Sequence, residues 1–91
     1  MFTLAPEVSA VETEYGVVLL DRRSGEYWNL NASGALVLRS VSAAEGLDAA
    51  VTALVTEFDI DRDTAIADAR EVLDSLLRAG LIVSTEPAGG R

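Results

Sequence analysis

Apolar and polar positions change their rhythm twice along this chain. From Glu7 to Thr13 they alternate, with Val8, Ala10 and Glu12 pointing one way and Ser9, Val11 and Thr13 the other, as in a strand whose successive side chains take opposite faces. Val17 to Asp21 is a near-continuous apolar run, the pattern of the middle strand of three. Glu26 to Leu30 is a third strand, at the edge of the sheet. The turns Glu14-Tyr15-Gly16 and Arg22-Arg23-Ser24-Gly25 separate these runs, and Gly16 is able to take φ > 0. Met1 to Pro6 forms a leading arm whose Phe2 and Leu4 are placed to pack on the sheet, and Pro6 argues against a central strand there.

After Leu30 the apolar spacing becomes three and four. Asn31 is placed to cap a first helix over Ala32 to Val41, its side-chain oxygen taking an otherwise orphaned backbone N–H. Ser42 with Glu45 fits a capping box for a second helix, with Gly46 as a competing start. Leu47, Ala50, Val51, Leu54, Val55 and Phe58 form its amphipathic stripe. Asp61 is set to cap a third helix, Arg62 to Ala79, with Asp63 near its positive end and Gly80 as its terminating glycine. Ile66, Ala69, Arg70, Val72, Leu73, Leu76 and Leu77 spread over a wide arc of that helix, broader than one core contact requires. Leu81-Ile82-Val83 returns as a short extended segment. The expected organisation is a single domain over residues 1–83, with a flexible C-terminal tail over 84–91. The fold class is α+β: a three-stranded antiparallel sheet followed by three helices, in winged-helix-like order.

The third strand draws attention as a binding element. An edge strand offers unpaired N–H and C=O groups to an incoming chain. It carries the single Trp and one of two Tyr. Trp28 and Leu30 share one face, Tyr27 and Asn29 the other. Trp28 reads either as ordinary core or as the floor of a groove, and Tyr27 as a rim or outer-face residue. The wide arc of helix three reads either as packing on several elements at once or as one exposed edge beside the third strand. In the second case strand and helix form an apolar cleft open to a peptide.

Composition narrows the chemistry. The chain has 91 residues with no Cys and no His, so thiol nucleophiles, disulfides, imidazole bases and His/Cys metal sites are excluded. Ser and Thr are present without a His or Lys to activate them. The Asp59/Asp61/Asp63 spacing lacks the downstream Gly and Glu of a calcium loop. Net charge is −8, with 15 acids against seven Arg, which disfavours a nucleic-acid partner. Helix three itself sets Arg62, Arg70 and Arg78 against Asp63, Asp68, Glu71 and Asp74, with Asp61 at its cap. The Arg22-Arg23 turn and the acids along helix three read first as solvated surface. No apolar run reaches the ~18 residues of a membrane span and no signal peptide opens the chain, so a cytoplasmic location is expected, with no membrane partner. No catalytic site, metal or cofactor is expected.

Particular residues resemble those of a known family. Tyr27-Trp28-Asn29-Leu30-Asn31, followed by Gly34 and the Leu36/Val37 pair, is similar to the aromatic-x-Leu-Asn segment that runs into helix one of the PqqD-like family. Val72-Leu73-x-x-Leu76-Leu77-x-x-Gly80-Leu81-Ile82 resembles that family's last helix and Gly-Leu-Ile ending. These are the peptide-recognition domains (RiPP recognition elements) of ribosomal peptide natural-product pathways. The resemblance covers Glu7 to about Val83, and the chain looks most like the stand-alone recognition protein of lasso peptide biosynthesis.

The resemblance implies a peptide-binding role without catalysis. A precursor's leader peptide adds as an antiparallel strand to the third strand, here Glu26, Tyr27, Trp28, Asn29 and Leu30. Its apolar side chains enter the groove against helix three, for which Ile66, Ala69, Arg70, Leu73 and Leu77 are the candidates beside Trp28 and Leu30. If a folded Leu73→Glu variant binds unchanged, the site belongs instead to the flank of Val72 and Leu76. The implied partners are the leader, a leader peptidase of the transglutaminase-like cysteine protease type, and an asparagine-synthetase-like macrocyclase. Ordering a disordered leader costs about 2–5 kcal/mol, and the affinity expected is roughly submicromolar. The runner-up reading is a winged-helix DNA-binding regulator, which shares the topology and which the acidic third helix disfavours.

Overall fold

The alternation and the apolar run of the N-terminal half produce a meander, and the three-and-four spacing of the C-terminal half produces a helical layer on one of its faces. The computed structural model describes residues 2–43 and 46–84. Its elements are β1 (Phe2–Leu4), β2 (Val8–Thr13), β3 (Gly16–Asp21), β4 (Glu26–Leu30), α1 (Ala32–Ser42), α2 (Gly46–Phe58), α3 (Arg62–Arg78) and β5 (Ile82–Ser84). The three strands expected from the sequence are β2, β3 and β4, antiparallel in that order, with β3 in the middle. Val17, Leu19 and Asp21 of β3 are buried on the helix side. Opposite them on β4 stand Leu30, Trp28 and Glu26.

The leading arm does more than pack on this sheet. Phe2–Leu4 pairs antiparallel with Ile82–Ser84 in a separate two-stranded ribbon, Leu4 opposite Ile82. Ser84, expected at the start of the tail, is therefore the last residue of β5. Residues 85–91 of that tail, and Glu45 of the expected capping box, lie outside the described residues. Ser42 does not cap α2. It is the last helical residue of α1, because Leu38 and Val41 are buried through the final turn and hold it helical. Phe58, expected in the buried stripe of α2, is 40% exposed at the helix end.

The caps that position α1 and α3 are local and complete. Asn31 Oδ1 accepts from the Gly34 N–H at 2.9 Å and from the Ser33 hydroxyl at 3.0 Å. Asp61 accepts from the Thr64 N–H at 3.1 Å and from its hydroxyl at 2.8 Å. At the far end of α3, Leu81 N–H donates to the Leu76 carbonyl at 3.0 Å and Gly80 N–H to Leu77 at 3.1 Å. Gly80 has φ +75°. This is a Schellman ending, with Leu81 and Leu76 in contact in the same core cluster. The turn arginines are anchored rather than merely solvated. Arg22 donates to the carbonyls of Glu7 and Pro6, and Arg23 wraps the buried Asp21 carboxylate.

Candidate functional site

β4 has one paired edge and one free edge. β3 occupies the first, and among the described residues no strand pairs with the second. The register fixes which way its side chains point. Trp28 lies opposite Leu19 and Leu30 opposite Val17, so both face the helices. Tyr27 and Asn29, opposite Leu20 and Val18, face the outer side of the sheet. Tyr27 is 68% exposed there, while Trp28 is 38% exposed although it sits on the helix side. Among the described residues no element closes over this half-open Trp on the inner face.

The opening is a cleft between β4 and α3 of about 450 Å³, within the usual size of ligand sites. Trp28 and Leu30 form its strand wall, and Asp68, Glu71, Val72, Ser75 and Leu76 its helix wall. It continues past Trp28 to Ser75, Arg78 and Ala79 near the helix end. In the other direction it joins a hollow of about 600 Å³ under Tyr15 and Gly34, again with Leu30 and Val72 in its wall. Leu30 and Val72 thus lie where the two spaces meet. The Asn31 side chain also borders the cleft, but its oxygen is committed to the α1 cap.

Gly16 lies against the Leu30–Asn31 backbone, which borders this space. A Cβ there would collide with the Leu30 carbonyl oxygen, so only glycine lets the β2–β3 turn sit against the β4–α1 junction. The electrostatics are set by α3, with Asp68 and Glu71 at the Leu30 end and Arg78 at the Trp28 end. The Asp21 carboxylate, at the root of β4, is held below its ordinary value of 3.8 by hydrogen bonds from Arg23, first from its side chain and then from its backbone N–H. It is an anchor for the β3–β4 turn. Among the described residues no cluster of three or more acidic side chains is placed to hold a metal ion, and no helix is long and apolar enough to cross a membrane.

The structure places the strand candidates and the helix candidates differently with respect to this cleft. Glu26 to Leu30 form the free edge, with Trp28 and Leu30 facing the cleft. The five helix candidates do not face it. Ala69 is fully buried with Ala65 against α1 and α2, and Ile66 packs on the same cluster. Leu73 packs on the sheet-side core. Arg70 is exposed, and Leu77 is 39% exposed, on the side of α3 away from β4. The cleft takes the neighbouring flank, where Val72 and Leu76 alternate with Asp68, Glu71 and Ser75. This flank, near Val72 and Leu76, is the alternative that the sequence leaves open, because apolar periodicity does not choose between flanks when half the residues of one are polar. The usable signal was its position next to the buried Ala65–Ala69–Leu76 stripe.

The chain thus combines winged-helix-like order with a free strand edge and an adjoining half-apolar cleft. The family described as "Coenzyme PQQ synthesis protein D (PqqD)" matches residues 16–82. The chain belongs to this family, and is a PqqD-like recognition element. Among solved structures it is similar to "Lasso peptide synthetase B1 complexed with the leader peptide", at 36% identity and a TM-score of 0.83, over 91% of this chain and 98% of that one. It is also similar to "TbiB1 in Complex with the TbiA(beta) Leader Peptide", at 25% identity and a TM-score of 0.79, over 93% of this chain and 99% of that one. No curated protein matches it. The family, the fold class and the likeness to lasso peptide biosynthesis expected from the sequence are borne out.

Proposed function

We propose that this chain binds the leader segment of a ribosomally made precursor, of the lasso peptide class, as an added strand on β4. Main-chain hydrogen bonds to Glu26–Leu30 supply affinity with little sequence demand, and the cleft supplies selectivity. Trp28, Leu30, Val72 and Leu76 receive apolar leader side chains. The chain then presents the precursor to a leader peptidase and a macrocyclase and performs no chemistry itself. A single observation carries this reading: the free β4 edge stands beside an open cleft in a fold shared with two solved structures described as leader-peptide complexes. The acids of α3 argue against the same helix entering a DNA groove.

The test is a backbone NMR titration with synthetic lasso leader peptides, headed by the one bound in the 36%-identical structure. Shifts clustered at Gly25–Asn31 and at Asp68–Ala79, with slowed amide exchange along β4, are the expected result. Calorimetry on the same pairs should give a roughly submicromolar Kd. A folded sample in which no leader shifts β4 rejects strand addition. Shifts centred on Ile66, Arg70 and Leu77 place the peptide on the opposite flank of α3.

A further inference from the structure

The ends of the cleft carry opposite charges that make no ion pair among the described residues. The ion pairs among the described residues are Arg23 with Asp21 and Arg39 with Glu12. Asp68 and Glu71 at one end, and Arg78 at the other, take part in neither. All three are exposed, so none is there to satisfy a buried partner. Beyond the cleft that Trp28 and Leu30 share, only Trp28 borders the space at Ser75, Arg78 and Ala79, and only Leu30 borders the hollow at Val72. β4 therefore runs opposite to α3. A strand added antiparallel to β4 runs along α3 from the acidic end to Arg78.

The distances set a register. At about 1.5 Å per helical residue, Arg78 lies about 15 Å along the axis from Asp68 and about 10 Å from Glu71. An extended chain covers this in roughly three to five residues, at about 3.4 Å each. Only alternate residues of an added strand face the cleft, which selects a separation of four.

We infer that the cleft reads charge as well as shape: it selects a leader segment with a cationic side chain at position i, an apolar one at i+2 and an anionic one at i+4. The cation meets Asp68 and Glu71, the apolar residue sits among Trp28, Leu30 and Val72, and the anion meets Arg78. This rests on the strand-addition reading above and adds to it the polarity and charge order of the ligand. Such an order also opposes backward insertion, because the reversed segment sets like charges against each other at both ends.

The experiment uses a lasso leader that binds the wild-type protein, made in versions carrying Lys…Glu, Glu…Lys or Gln…Gln at each i, i+4 pair of its bound segment in turn. Fluorescence anisotropy at low salt is expected to show Lys…Glu binding tighter than Glu…Lys by about three- to tenfold at one register, as exposed pairs allow. The gap closes as salt screens it. The Asp68→Lys/Glu71→Lys/Arg78→Glu variant, checked for native NMR dispersion, is expected to invert the preference. Equal affinities for all versions at low salt overturn the charge register and leave strand addition standing. Preference that survives in the reversed variant also overturns it. Failure of every leader to bind a folded wild-type protein overturns both.

Discussion

Trp28 and Tyr27 are consecutive aromatic residues on one edge strand, and their side chains leave it on opposite faces. That separation makes a controlled pair of substitutions. Trp28→Ala removes one wall of the cleft and part of the packing against Leu19, which lies opposite it. A fully buried Trp costs roughly 3–5 kcal/mol on truncation; a ring that is 38% exposed should cost less, about 2 kcal/mol. Leader affinity should fall by at least about tenfold, the scale of an aromatic anchor. Tyr27→Ala removes a ring that is 68% exposed on the outer face. It should leave both stability and leader affinity within about twofold, as for an ordinary surface change. Calorimetry on the two folded variants checks this. A larger binding loss for Tyr27→Ala would place the ligand on the outer face of the sheet. Gly16 lets the β2–β3 turn close against the Leu30 carbonyl, which fixes the end of β4 two residues beyond Trp28.

At the scale of elements, α3 decides the site and also carries the clearest pH signature. Its cap residue Asp61 has its carboxyl held below 3.8 by the hydroxyl and backbone N–H of Thr64. Asp21 is held below 3.8 by Arg23. Both folded values lie below the unfolded one, so both contributions are full above about pH 3.8. They are lost as pH falls through the lowered values, because the unfolded chain then binds protons less reluctantly. Melting temperature should therefore fall on acidification below this point. Asp61→Asn keeps a capping oxygen without a titrating group, and its acid slope should be shallower than that of the wild type. Thermal melts between about pH 5 and pH 2 decide it, and parallel slopes would show that the cap does not contribute. Such caps were legible in the sequence, since Asn31, Asp61 and Gly80 act through backbone groups within a few residues of themselves. The flank of α3 was not. Its apolar arc states how many surfaces the helix touches, but α1 and α2 decide which flank is covered, and they claim Ile66 and Ala69. The β1–β5 pairing was hidden for a related reason, since it joins the two ends of the chain and leaves no local signature at either.

The whole molecule is a slab, with principal extents of 38 × 37 × 18 Å. Its buried residues form two clusters, one between the sheet and the helices around Leu19, Leu76 and Leu81, the other among the helices around Val37, Val51 and Leu54. Val72 packs on both clusters and also lines the cleft. Core packing and the cleft wall therefore meet at one side chain. Val72→Ala should lower stability by about 1–2 kcal/mol, the cost of two lost methyl groups at a partly buried site, and weaken leader binding by about three- to tenfold. Val51→Ala supplies the comparison, because Val51 is 2% exposed within the helical cluster and does not line the cleft. It should cost as much stability or more and leave the affinity unchanged. A leader that binds only the folded state adds about 2.7 kcal/mol at a hundred times its Kd. At one fixed leader concentration that gain should be smaller in Val72→Ala and undiminished in Val51→Ala. Equal losses of affinity in both variants would mean that general loosening of the slab, and not the Val72 contact, controls the cleft.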